Sequence, residues 1–251
     1  MGLLRLTGRV LQRSEVATLD SQTQAPIQRV QENVLARAER RLLNAICARM
    51  PAWVSPDGLT FLGMVGAFMV FAGYLGSNRG DEWLWLAIGG YFVQWFGDST
   101  EGSLARYRKI ERPRYGYFLD HSCDGLATTL VAVGIGLSPY VILEVAMVAL
   151  AGYLLLSIHA FLSVRVLGEL KLSYLNAGPT ELRFVLLALT FAMMGLSTGP
   201  GMFGQISGFD LLVGFVGLGL IAMFVIQTAI TARRLAKEEP SRNTEWKRNR
   251  Q

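Results

Sequence analysis

GDSTEGSLARYRKIERPRYGYFLDHSCDG, residues 97–125, lies between two long apolar runs and carries five acids, of which Asp98, Glu101, Asp120 and Asp124 flank a basic middle. Asp98, Glu101, Gly102 and Ala105 recur at i, i+3, i+4 and i+7, so on a helix they share one face. Gly116, Asp120 and Asp124 recur at i, i+4 and i+8 and share one face of the next helix. The basic connection between them contains Pro113, which suits a turn between antiparallel neighbours. Packing the two faces together brings four carboxylates to the shallow end of two apolar segments. A charged side chain at mid-bilayer costs about 2.5–3.5 kcal/mol on insertion scales, and like charges add repulsion. Something positive must compensate. Carboxylate oxygens, with no His or Cys at matching spacing, suit a hard divalent cation, Mg²⁺ or Mn²⁺. Four acids have the capacity for two such ions about 3.5–4 Å apart, an arrangement that clamps phosphoryl oxygens. Gly102, Ala105 and Gly116 leave room for a ligand to approach the backbone, and the Arg106 fork suits phosphate. A single intramembrane Asp is often only a hydrogen-bonded polar residue. Four acids on two matched faces are not explained that way.

Working outward, the 251 residues are 51% hydrophobic and 17% charged, too apolar for most soluble domains of this size. The expected fold is an all-α integral membrane protein of six transmembrane helices preceded by an amphipathic surface helix. The spans are expected at 58–77, 83–105, 115–137, 139–165, 181–199 and 210–233, each near the ~20 residues a bilayer demands. The fourth is long enough to tilt or protrude. Before them, residues 1–50 form a polar segment, in whose second half Val34, Leu35, Leu42, Leu43, Ile46 and Met50 recur at helical intervals. Arg37, Arg40, Arg41 and Arg49 interleave with them, the pattern of a helix lying on a membrane surface. Residues 51–236 then form the membrane domain, and 237–251 read as a disordered basic tail. No secretory signal is expected from the polar, Arg-dotted start. Cys47 and Cys123 lack CxxC spacing, so neither a disulfide framework nor a zinc site is expected.

Of the 24 Lys and Arg residues, only Arg79 lies near a connection on the far side. The other 23 fall on one face, which the positive-inside rule assigns to the cytoplasm. Both chain ends and the acidic stretch are expected there. The basic balance is thus a topology signal that also attracts anionic membrane lipids, and no nucleic-acid partner is expected.

The stretch Asp98-x2-Glu101-Gly102-x2-Ala105-Arg106-x9-Gly116-x3-Asp120-x3-Asp124 resembles the signature of the CDP-alcohol phosphotransferases, D-x2-D-G-x2-A-R followed by G-x3-D-x3-D. These are integral membrane enzymes of phospholipid synthesis. The upstream MPAWVSPDGLT is similar to the family's proline-rich approach to the first span, with Asp57 where Asn is common. DHSCD and GPTELR (178–183) resemble the branch that includes choline and ethanolamine phosphotransferases. The resemblance implies that Asp98, Glu101, Asp120 and Asp124 hold metal, and that Asp124 is also the catalytic base deprotonating the acceptor hydroxyl. It implies that Gly102, Ala105 and Gly116 line the CDP site and that Thr60 and Arg106 approach the diphosphate. The implied reaction displaces CMP from a CDP-linked donor, CDP-diacylglycerol or a CDP-aminoalcohol, by an alcohol acceptor, in a protein that is usually a homodimer.

Glu101 departs from the signature, which has Asp there. One added methylene moves the carboxylate by about 1.5 Å, and displacements near 1 Å can cost ~100-fold in rate. A tolerant site, a weakened or altered-metal enzyme, and an inactive scaffold all remain open. A divalent-cation transporter is a further alternative, but transport favours polar groups at mid-membrane, whereas here they crowd one end. His121, Arg165, Lys171 and Arg183, with Glu181 among them, are candidates for contacting the acceptor or a lipid phosphate. Ordinary positive-inside cations and a helix-packing His account for these residues equally well. His159 is expected to be a satisfied interhelical polar residue. Gly195, Gly214, Gly217 and Gly219 suggest close helix packing or a homodimer contact.

Overall fold

A computed structural model describes residues 34–167, 179–196 and 206–239. Seven α-helices and one 3-10 turn make up most of the described residues, which hold no β-sheet. They are α1 (Val34–Arg49), α2 (Pro56–Gly76), α3 (Leu84–Arg108), α4 (Pro113–Gly136), α5 (Leu143–Leu167), α6 (Pro179–Leu196) and α7 (Gly208–Glu238). Helices α2–α7 lie where the six apolar segments were expected, within a few residues at most ends. By length and composition, α2, α5 and α7 are long and apolar enough to cross a membrane, and Leu182–Leu196 forms a shorter apolar helix. Helices α3 and α4 carry the acids and arginines of the 97–125 stretch, which dilute their apolar character. The first 33 residues and the tail from 240 lie outside the described residues.

The helix ends follow local chemistry. Ser55 caps α2 by accepting from the Gly58 N–H at 3.1 Å, with Pro56 in the first turn. Helix α3 stops at Lys109, whose left-handed backbone (φ 57°) lets the Ile110 N–H reach back to the Ala105 carbonyl at 3.0 Å. Pro113 then opens α4. This tight reversal folds the two acid-bearing faces toward one another.

Helix α3 packs along α2 backbone to backbone. A Cβ on Gly66 would lie 2.3 Å from the Gln94 nitrogen, one on Gly73 2.4 Å from that of Ala87, and one on Gly97 2.4 Å from that of Gly63. Only the absence of side chains permits this approach, which sets Asp98 and Glu101 of α3 against Thr60 of α2. The core beyond is built from Val70, Tyr74, Leu84, Tyr91, Ile135, Tyr140 and Met193. Within it the Tyr74 hydroxyl bonds to those of Tyr91 at 3.1 Å and Thr190 at 2.7 Å, tying α2, α3 and α6. Helices α5 and α7 form a second close pair, in which a Cβ on Gly217 would lie 2.8 Å from Ala149 Cα. Gly214 makes only ordinary contact, and Gly195 and Gly219 face open space among the described residues, so the expected close packing does not extend to them. His159 is buried and meets the Thr231 hydroxyl at 3.3 Å across α5 and α7, the interhelical role expected of it.

Helix α1 seats Leu43 and Cys47 against the bundle, where Cys47 packs with Leu59 and Leu104. Glu39 accepts from the Trp95 indole at 3.0 Å. Arg40, Arg41 and Leu42 of the same helix are exposed. Burial in that seam pushes the Cys47 thiol up from its ordinary value, against a smaller opposing pull from Arg106 and Arg108.

Candidate active site

Where the N-terminal end of α2 meets the C-terminal end of α3 and the N-terminal half of α4, a cleft opens partly to solvent. Thr60, Asp98, Glu101, Asp120 and Asp124 all line it, so the four acids separated in sequence share one space. Gly63, Met64, Gln94, Cys123 and Ala127 complete the walls. The side chains of Asp98, Asp120 and Asp124 are 25%, 29% and 43% exposed, so each is held in place yet reachable.

Asp120, His121 and Asp124 each offer a ligand atom, and these atoms lie within 4.8 Å of one another. The His121 ring stands with Nδ1 3.7 Å from Asp120 Oδ2 and 3.9 Å from Asp124 Oδ2. Its ring meets Tyr117 edge-on at 4.3 Å between centroids and Phe161 at 4.9 Å. His121 Nε2 is buried with no hydrogen-bond partner. The helix spacing that united Asp120 with Asp124 did not anticipate His121 beside them. Hard carboxylate oxygens with one imidazole nitrogen are a donor set that fits a divalent cation.

The remaining expected residues take distinct positions. A Cβ on Gly102 would meet the Arg106 guanidinium, Nη1 being nearest at 3.3 Å, so Arg106 lies over Gly102. Arg106 itself is exposed and donates to Ser103 Oγ at 3.3 Å. Ala105 is half-buried, and Gly116 faces open space. The Thr60 hydroxyl donates to the Pro56 carbonyl at 3.3 Å within its own helix. Arg183 reaches from α6 to Asp98 Oδ2, and its Nε donates to Gln94 Oε1 at 3.0 Å. Arg165 is exposed on α5. Lys171 and the Glu181 side chain lie outside the described residues.

Two further arrangements brace the cleft, and sequence reading missed both. Arg108 donates to the carbonyls of Met50 at 3.3 Å and Pro51 at 2.8 Å, and also to Val54, clamping the α1–α2 link to the end of α3. Arg112 grips Asp57 through both carboxylate oxygens at 2.6 and 2.8 Å and stacks on Tyr115, 4.0 Å from the ring centre. The Asp57 carboxylate holds the Arg112 guanidinium above its ordinary pKa. These pairs join positions more than fifty residues apart, beyond the reach of any local spacing rule.

The chain belongs to the CDP-alcohol phosphatidyltransferase family, whose pattern matches residues 53–224, more than half of its length. It is similar to Cholinephosphotransferase 1 of Danio rerio, with 28% identity over 122 residues. That match covers 43% of this chain and 32% of the relative, so the chain spans about a third of that protein's length. Family and apolar helices together mark a membrane protein.

Proposed function

We propose that the protein transfers a substituted phosphate group from a CDP-linked donor to an alcohol, releasing CMP, in phospholipid synthesis. The observation that carries this reading is the single cleft lined by Thr60, Asp98, Glu101, Asp120 and Asp124. Asp98, Glu101, Asp120 and Asp124 would hold the metal, Mg²⁺ or Mn²⁺ by the hardness of their oxygens, with two ions as the proposed number. When bound, such ions neutralise the diphosphate and the leaving CMP.

The chain's own residues do the rest. Gly102, Ala105 and Gly116 present small surfaces against which the cytidine end of the donor lies. Arg106 and Thr60 offer donors to the diphosphate oxygens. The Asp124 carboxylate takes the proton of the acceptor hydroxyl as its oxygen bonds to phosphorus. The bond from that phosphorus to the CMP oxygen breaks, and CMP departs. Asp124 is 43% exposed, so an acceptor can reach it from outside the bundle.

The same reading makes α2–α7 six membrane spans in a domain over 51–236, with 1–50 lying at the surface and 237–251 a polar tail. The skew of 23 of 24 Lys and Arg residues to one face supports a cytoplasmic cleft and cytoplasmic chain ends. There a water-soluble substrate meets a lipid one. The exposed apolar faces of the bundle belong to lipid and to a second copy in a homodimer. A weakened enzyme is the second reading, because Glu101 lines the cleft with one methylene more than the family's Asp.

The test is CMP release by purified protein with Mg²⁺ or Mn²⁺. CDP-diacylglycerol, CDP-choline and CDP-ethanolamine serve as donors, each with a panel of alcohols including diacylglycerol. Release that requires one donor–acceptor pair and stops on chelation is the expected result. Silence across the panel from folded wild type and folded Glu101→Asp contradicts the reading.

A further inference from the structure

We propose that Arg183 is a positioning residue that fixes the Asp98 carboxylate, tying one oxygen so that the other is presented to a cation in the cleft. This rests on the reading of the cleft given under Proposed function. Arg183 comes from α6, of which no described side chain lines the cleft, and it crosses to α3. Its Nη2 donates to Asp98 Oδ2 and its Nε to Gln94 Oε1 at 3.0 Å. Gln94 and Asp98 are four residues apart on one face of α3, so the planar guanidinium spans a full helical turn with one edge. Both acceptors belong to residues that line the cleft. The Arg183 side chain is only 15% exposed, more deeply set than the 25% of Asp98.

Three consequences follow from this geometry. The fork restricts rotation of the Asp98 carboxylate, because Oδ2 is occupied and Gln94 anchors the same edge of the guanidinium. Oδ1 is the oxygen left for the cleft. The positive charge also offsets one of four neighbouring carboxylates, which lowers their mutual repulsion before any cation binds. A lysine in this place keeps the charge but offers no fork, so it reproduces the attraction and loses the orientation. Arg183 was grouped by sequence with Arg165 and Lys171 as a contact for acceptor or lipid phosphate. The edge that faces α3 is instead committed to Gln94 and Asp98.

The test uses the purified full chain in detergent with Arg183→Gln, Arg183→Lys and Gln94→Leu. Mn²⁺ binding is read without substrate from the loss of the free-ion electron paramagnetic resonance signal, beside thermal unfolding and CMP release. Arg183→Gln is expected to weaken Mn²⁺ binding by roughly 10- to 100-fold and to lower kcat comparably, as loss of a partner that orients a metal ligand does. KM for the donor is expected to stay within about threefold. Arg183→Lys recovers part of both losses, and Gln94→Leu shows a smaller loss in the same direction. A folded Arg183→Gln that binds Mn²⁺ like wild type, with a raised acceptor KM, overturns the proposal in favour of direct acceptor contact. Tighter Mn²⁺ binding overturns it too, because Arg183 would then compete with the cation. If Arg183→Gln does not fold, unchanged Mn²⁺ affinity in both other variants overturns it. Weakened Mn²⁺ binding in a chain whose wild type and Glu101→Asp variant both release no CMP sinks the transferase reading and leaves the positioning role standing. CMP release with Mn²⁺ affinity untouched by the variants does the reverse.

Discussion

At one end of the bundle Asp210, only 4% exposed, accepts from the Ser207 N–H through Oδ2 and from the Ile142 N–H through Oδ1, both at 2.7 Å. Around it the Ser207 hydroxyl donates to the Tyr140 carbonyl at 2.8 Å, and the Tyr140 hydroxyl donates to Asp81 at 2.6 Å. Asn78 reaches the Leu137 carbonyl at 2.7 Å. At the other end Asp98, Glu101, Asp120 and Asp124 turn toward one cleft and toward one another. Both ends put carboxylates where apolar helices stop. In the first the Asp210 oxygens face N–H groups of the chain itself, and the carboxylate is a knot that fixes the connections entering α5 and α7. In the second, four like charges share the rim of an open space and Arg183 offsets one of them, an arrangement that gains stability when further positive charge enters. An acid at a helix end is therefore read by what its oxygens face.

The sharpest way to break this comparison is to neutralise an acid of the cleft. Asp120→Asn is expected to lower CMP release by ~10³-fold or more while leaving the unfolding midpoint unchanged or raised, since it relieves repulsion. A variant with normal activity would move the chemistry elsewhere. Next is the seam that holds the cleft together. Gly97→Val places a branched side chain where even a Cβ would sit 2.4 Å from the Gly63 nitrogen. A loss of about 1–3 kcal/mol in stability is expected, and activity should fall with it because Asp98 is the next residue. Unfolding in detergent and CMP release, measured on the same sample, check both.

Glu101→Asp is the finer probe. A carboxylate ligand can bind through one oxygen or two, so a rate change under about tenfold in either direction is expected, against the ~100-fold that a 1 Å misplacement can cost. A gain far above tenfold would show that Glu101 holds the enzyme below its capacity. Smallest of all is a labelling contrast. Cys123 lines the cleft, whereas Cys47 is 2% exposed in the α1 seam. A water-soluble maleimide should modify Cys123 first, and the productive CDP-linked donor should slow it. Equal rates at the two thiols would mean that the cleft is closed or that α1 lifts away.

Much of this was legible from helical spacing. The faces Asp98–Glu101–Gly102–Ala105 and Gly116–Asp120–Asp124 are properties of a 3.6-residue repeat, and the reversal at Pro113 makes them neighbours. Apolar length located the helices well, because a bilayer-scale run of apolar residues has few other uses. What was not legible depends on partners distant in the chain. Arg183 meets Asp98 across 85 positions and Arg108 meets Pro51 across 57, and neither pairing has a periodicity to announce it. Glycine was ambiguous for the same reason. Gly217 sits in a close contact with Ala149 while Gly219, two residues on, faces outward, and composition alone does not distinguish them.

The most direct measurement sets the two ends side by side, with Asp124→Asn and Asp210→Asn assayed for CMP release per folded molecule and for thermal unfolding. The account predicts that Asp124→Asn loses release by roughly 10²- to 10⁴-fold, the contribution of a positioned base, at an unchanged midpoint. It predicts that Asp210→Asn keeps its specific activity and unfolds at a lower temperature, as a buried acceptor of two N–H groups should. The reverse pattern, with Asp124→Asn active and Asp210→Asn inactive though folded, would contradict it.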